Sequence, residues 1–148
     1  MMDNHLKATT PTVVKQTLTL ELVDATGQAT PMQADLSYDP HDPYAVTAIF
    51  QTAAGDVRWT FGRDLLVDGL YEPSGDGDVH VWPCLDSDGH AVVIIELCSP
   101  DGEALVQAKT GDLTAFVERM TAVVPVGDES RFMDLDTAIA AIFANETA

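Results

Sequence analysis

Positive charge is scarce in this chain. Seven Lys and Arg stand against 24 Asp and Glu in 148 residues, a formal net charge of −17. The seven are scattered as Lys7, Lys15, Arg58, Arg63, Lys109, Arg119 and Arg131. A nucleic-acid backbone is bound mainly by Lys and Arg that displace its counterions. The scatter therefore argues against nucleic acid as a ligand, and against an anionic membrane surface on the same ground. Long apolar runs are also missing: none approaches the ~20 residues that span a bilayer. The opening stretch, MMDNHLKATTPTVVKQ, has no apolar signal core. A cytoplasmic protein without direct membrane insertion is expected. Cysteine is limited to Cys84 and Cys98. In a hairpin turning at Asp86–Gly89 with Leu85 opposite His90, Cys98 falls opposite Gly77, about 23 Å along the strand from Cys84 at ~3.3 Å per residue. A disulfide needs Cα atoms within ~7 Å, so two free, largely buried thiols are expected.

What is present suits a globular domain. Apolar residues make up 46% and charged residues 21%, values that allow a packed core and argue against general disorder. The length fits one domain. Residues 1–15, with Thr9, Thr10, Pro11 and Thr12, have no period and read as a flexible tail; residues 16–148 read as a single domain. Leu18, Leu20 and Leu22 alternate with polar residues, as do Met32, Ala34, Leu36 and Tyr38, and each series predicts a half-buried strand. Further strands are expected at Ala45–Thr52, Val57–Phe61, Asp78–Leu85, His90–Cys98 and Glu103–Ala108. AVVIIELC, within the sixth, is apolar on both faces and predicts a central strand. Ser74–Asp78 reads as a flexible turn. A short helix is expected at Arg63–Gly69, with Gly69 as its C′ cap. Leu113, Phe116, Val117, Met120 and Val123 follow a helical period, with Thr110 as cap and Pro125 as stop. A last helix begins near Asp134, with Leu135, Ile139, Ile142 and Phe143 on its apolar face. The fold class is α+β: seven to eight mostly antiparallel strands in meanders, with two to three helices and a loosely doubled layout of meander then helix.

No catalytic constellation emerges. Asp39-Pro-His41-Asp42-Pro43 holds metal-ligand residue types but is a proline-bounded turn. Asp86-Ser-Asp-Gly89 resembles part of a calcium loop, yet alignment on the glycine puts Cys84 first and Ile95 twelfth, where the loop needs Asp and Glu. Ser74-Gly-Asp-Gly-Asp78 lacks both a lysine and the following helix that would cradle phosphate. Neither cysteine faces a base. Glu96 is the one charge in AVVIIELC and needs a partner; Arg58 and Arg63 are the candidates. Trp59 and Trp82 read as core or oligomer interface. No catalytic, cofactor or metal residue is assigned.

Five ordered blocks resemble one family. They are Tyr38-Asp-Pro-His-Asp42-Pro-Tyr-Ala-Val46, Trp59-Thr-Phe-Gly-Arg-Asp-Leu-Leu-Val-Asp-Gly-Leu70, Gly77-Asp-Val-His-Val-Trp-Pro83, Ser99-Pro-Asp-Gly-Glu-Ala-Leu105, and Phe116-Val-Glu-Arg-Met-Thr121 followed by Val124-Pro-Val-Gly127. Together they resemble the SsgA-like sporulation and cell-division proteins of actinomycetes, over about Leu18 to Phe143. Gly62 stands where the family usually has alanine, and His80 where it has arginine. The compact body looks most like the B-type branch. The resemblance implies a fold similar to the Whirly single-stranded-DNA-binding proteins, a homo-oligomer (a trimer) and no enzymatic activity. It implies a cytoplasmic protein at the cell septum that recruits FtsZ and promotes its polymerisation during sporulation-specific septation, with an A-type relative as a further partner. The alternative, a single-stranded nucleic-acid binder by analogy with the Whirly fold, has the charge of −17 against it.

Overall fold

The computed structural model describes residues 12–133 and Ile142. Two antiparallel meanders build one sheet. The first comprises β1 (Val14–Val23), β2 (Ala29–Tyr38), β3 (Ala45–Thr52) and β4 (Gly55–Gly62), and helix α1 (Asp64–Gly69) follows it. The second comprises β5 (Ser74–Asp76), β6 (Val79–Leu85), β7 (Ala91–Ser99) and β8 (Gly102–Lys109), and helix α2 (Thr110–Val123) follows it. A 3-10 turn occupies Glu129–Phe132. The strand order is β4-β3-β2-β1-β8-β7-β6-β5. The doubled layout is therefore real, and among the described residues the strands of the two halves pair where Glu21, Leu22 and Val23 meet Gln107, Val106 and Leu105.

Period-2 patterning sets one inner face. Leu18, Leu20, Ala34, Leu36, Val46, Ala48 and Phe50 from the first meander are buried there. Val79, Val81, Val93, Ile95, Leu97, Val106 and Ala108 from the second join them in one cluster. Leu113, Phe116, Val117 and Met120 of α2 cover this face, as do Leu65 and Leu66 of α1. The register is fixed because a one-residue slip would turn each apolar set outward.

Several expectations need correction. Ser74–Asp76 is not a bare turn but β5, pairing with Val79–Val81. The β6–β7 hairpin is shifted by one residue: Leu85 pairs with Ala91 and Cys84 with Val92. Its loop holds one residue more because Gly89, at φ +83°, adds a left-handed step after the turn. Cys98 consequently lies opposite Asp78, to whose O it donates its backbone N–H (2.8 Å), rather than opposite Gly77. Both cysteines are free, but Cys84 is exposed and Cys98 only half-buried, because both lie on the outer face. Strand β7 lies between β6 and β8, and its Ile94, Glu96 and Cys98 face is half-buried rather than core. Gly69 lies inside α1, not beyond it, and its role is close packing: a Cβ there would strike the Val81 side chain. Thr110 is the first residue of α2, whose N-cap position, Lys109, makes no side-chain cap. Val14 and Lys15, inside the span read as tail, already pair with Tyr38 and Ser37. The helix expected from Asp134 lies outside the described residues apart from Ile142, which is exposed.

Candidate functional site

Trp59 and Trp82 do not come together. Trp59 lies on the inner face of β4, half-buried against the core. It lines an open groove of about 320 Å³ at the end of the sheet where the halves face each other. Leu22, Met32, Phe50 and Val57 form one wall of that groove, and Leu97, Ala104 and Val106 the other. Asp101 and Glu103 lie at the β8 side. This is apolar surface with acidic neighbours, suited to an apolar or mixed protein contact more than to an anion. Trp82 lies on the outer face of β6, opposite Ile94, in a depression shared with Pro73, Gly75, His80 and Glu96.

Glu96 finds neither arginine. Its cross-strand neighbour is His80, whose Nδ1 stands 3.5 Å from Glu96 Oε1. The His80 Nδ1 is buried and has no hydrogen-bond partner among the described residues.

Arg63 instead enters the core, where it is 1% exposed and bound to Glu129 at 6%. Its Nη2 and Nε donate to Glu129 Oε2 at 2.9 and 3.2 Å. Nη1 donates to Val124 O (2.8 Å) and to the Tyr38 hydroxyl (3.3 Å), and Nη2 to Pro125 O (3.2 Å). The Tyr38 hydroxyl donates onward to Pro43 O at 2.8 Å. The guanidinium thus closes the carbonyl end of α2, where a cation complements the helix dipole. It also ties the Tyr38–Pro43 turn and the 3-10 turn to α1. Glu129 Oε1 accepts from Gly127 N–H at 2.9 Å. Backbone donation at Glu129 itself, then Arg63, hold this carboxyl below the usual glutamate range. Burial pushes the Tyr38 hydroxyl up. This cluster is structural: every nitrogen of the guanidinium is committed to a hydrogen bond. Sequence reading missed Glu129, because no local pattern marks a pair 66 positions apart.

The candidate metal positions are turns. Asp39 Oδ1 accepts from His41 N–H (2.9 Å) and lies 3.0 Å from its Nδ1, contacts that hold the Asp39 carboxyl low. Asp86, Asp88 and His90 present ligand atoms within 4.8 Å of one another, the one such group among the described residues. Asp86 Oδ1, however, already accepts from the backbone N–H of His90 (2.8 Å) and Asp88 (2.9 Å), which holds its carboxyl low. Asp24 does the same for Thr26 and Gln28 in the β1–β2 loop, so both hairpins share one Asp-x-x-Gly loop chemistry. Partial burial, then Glu96, Glu103 and Asp78, push the Cys98 thiol up, away from the thiolate a nucleophile needs.

Residues 32–129 match the family described as "Streptomyces sporulation and cell division protein, SsgA". The chain is 48% identical to the sporulation-specific cell division protein SsgB of Streptomyces coelicolor over 134 residues, covering 90% of this chain and 97% of that protein. It is 45% identical to the SsgB of Kineococcus radiotolerans over 130 residues, 87% of this chain and 79% of that one. Among solved structures, one concerns SsgB mutations that correlate to longitudinal cell division during sporulation of Streptomyces coelicolor. It superposes with a TM-score of 0.77 at 48% identity, covering 82% of this chain and 96% of that one. An SsgA-like sporulation-specific cell division protein from Thermobifida fusca superposes with a TM-score of 0.79 at 36% identity, covering 88% and 96%.

Proposed function

Since the chain belongs to the SsgA family of sporulation and cell division proteins, we propose that it acts without catalysis, as a recruiter of FtsZ at future septum sites. In this reading it promotes FtsZ polymerisation during sporulation-specific septation. A relative of the A-type positions it, and it works as a homotrimer with a Whirly-like fold. One observation carries the reading: the likeness to the Streptomyces coelicolor SsgB covers 97% of that protein's length at 48% identity. The family is not a known enzyme family. The candidate metal-ligand groups Asp39, His41, Asp86, Asp88 and His90 sit in turns, and Arg63 and Glu129 form a closed ion pair, which fits a protein that works by contact.

The groove beside Trp59 is the surface best suited to a partner, because its walls are apolar and half-open. A chain carrying −17 gains little from net attraction to an acidic partner, so binding rests on local apolar contact. It should weaken little as salt rises.

The site of action is tested with a fluorescent fusion of the full chain in a sporulating actinomycete lacking its own B-type protein. Regularly spaced foci that precede the FtsZ rings, with septation restored, are expected. Diffuse fluorescence with no septa would overturn the localisation.

A further inference from the structure

We propose that the depression between Trp82 and Glu96, on the outer face of the second meander, is a receptor for one arginine side chain of a partner protein. The two meanders repeat one layout, yet their outer faces differ. On the first, polar groups serve one another. The Thr17 hydroxyl donates to Asp35 at 2.7 Å, Gln51 Nε2 donates to Asp35 at 3.3 Å, and the Thr47 and Thr60 hydroxyls stand 3.3 Å apart. On the second, Gly75, His80, Glu96 and Leu105 lie opposite one another in a row across four strands, and Trp82 and Ile94 oppose each other in the next row. All but the exposed Gly75 are half-buried. The helices cover the other face of the sheet.

Three features of this face select the ligand. The first is a carboxylate without a permanent counter-charge. Among the described residues the arginine ion pairs are Arg63 with Glu129 and Arg131 with Asp128, so no Lys or Arg answers Glu96. Its neighbour is His80, with Nδ1 at 3.5 Å, and the Glu96 side chain stays 30% exposed. A neutral imidazole leaves that carboxylate without a cation in either tautomer. The second feature is the Nδ1 atom itself, buried and without a hydrogen-bond partner among the described residues. The ring is seated where a Cβ on Gly75 would strike it, and this seat turns Nδ1 toward Glu96.

The third feature is Trp82, one wall of a depression of about 330 Å³ that Pro73, His80 and Glu96 also line. An indole face attracts a cation laid over it. A carboxylate beside that face accepts the planar fork of donors that a guanidinium carries. A lysine would match the charge but not the plane. An anion would be repelled by Glu96, and an apolar group would cover the carboxylate without pairing it. The net charge of −17 adds a field that draws cationic segments toward the chain. This receptor lies on the opposite face of the sheet from the groove beside Trp59, so the two contacts can be gained and lost independently.

Two-dimensional amide and indole NMR of the full chain tests this, with acetyl-arginine amide as the probe and acetyl-citrulline amide as its neutral isostere. Saturable shifts concentrated at Gly75, His80, Glu96 and the Trp82 indole are expected with the arginine probe alone. Glu96→Gln keeps the shape and should weaken binding about tenfold, the loss of one hydrogen bond to a charged acceptor. His80→Arg sets a guanidinium opposite Glu96 from within the chain and should abolish the shifts, because the cross-strand pair then forms internally. The rest of each spectrum should match the wild type. No saturable shift, as expected if this face is covered within the assembly, would overturn the proposal. So would shifts spread over the surface carboxylates without a focus at Trp82, an equal response to the citrulline probe, or unchanged affinity in either variant.

Discussion

At the scale of single residues, Arg63 holds the most structure. One guanidinium joins α1, the Tyr38–Pro43 turn, the end of α2 and the 3-10 turn. Removing it leaves the Glu129 carboxylate buried without its counter-charge and the Val124 and Pro125 carbonyls without a donor. Arg63→Ala should cost about 3–5 kcal/mol, the usual penalty for breaking a buried pair from one side. Denaturant unfolding reads this as a lower midpoint; a loss of only a few tenths would show the cluster to be dispensable. The pair also sets an acid limit. The folded-state pKa of Glu129 lies below its unfolded value, so its stabilisation is complete above the ordinary glutamate range and is lost as pH falls through the depressed value. In Glu129→Gln the loss of stability on acidification should be shallower than in the wild type. Sequence reading placed Arg63 in the right motif but gave it the wrong partner. Glu96 looked like the buried carboxylate because its neighbours are apolar, yet the outer face of β7 is half-exposed and His80 stands opposite it. Which carboxylate reaches which cation depends on which sheet face is covered, and alternation alone does not say.

At the scale of elements, most strands and both described helices were legible because period 2 and period 3.6 are strong in this chain. What failed was local. A three-residue strand such as β5 has too few positions to show alternation, and its glycine and aspartates read as a turn. The β6–β7 register slipped because Gly89 adds a residue to the loop, a choice of turn type that composition does not reveal. Gly69 was read as a cap from its position at the end of a helix, but its φ is not left-handed and its lack of a side chain serves the Val81 contact. Gly69→Ala should therefore destabilise by about 1–3 kcal/mol through overpacking. A helix-propensity gain would push the other way, so an unchanged or raised melting temperature would contradict the packing assignment. The thiols were expected to be buried because their strands are apolar. The structure puts them outside, on the face that the helices do not cover.

At the scale of the whole molecule, two meanders share one apolar inner face, meet along a three-pair seam, and leave a groove beside that seam, lined from both halves. The groove was not legible in the sequence: its walls come from six strands, and only Trp59 among its residues stood out beforehand. The acidity was legible, and it has a consequence at this scale. A chain of −17 with scattered cations should give no salt-sensitive shift of single-stranded DNA at physiological salt; a shift that fades as salt rises would favour nucleic-acid binding over the adaptor role. The central claim is recruitment of FtsZ, and co-sedimentation of the purified chain with FtsZ polymers from the same source, with and without GTP, tests it most directly. Enrichment of the chain in the pellet together with more polymer is expected. No association in either nucleotide state would contradict it.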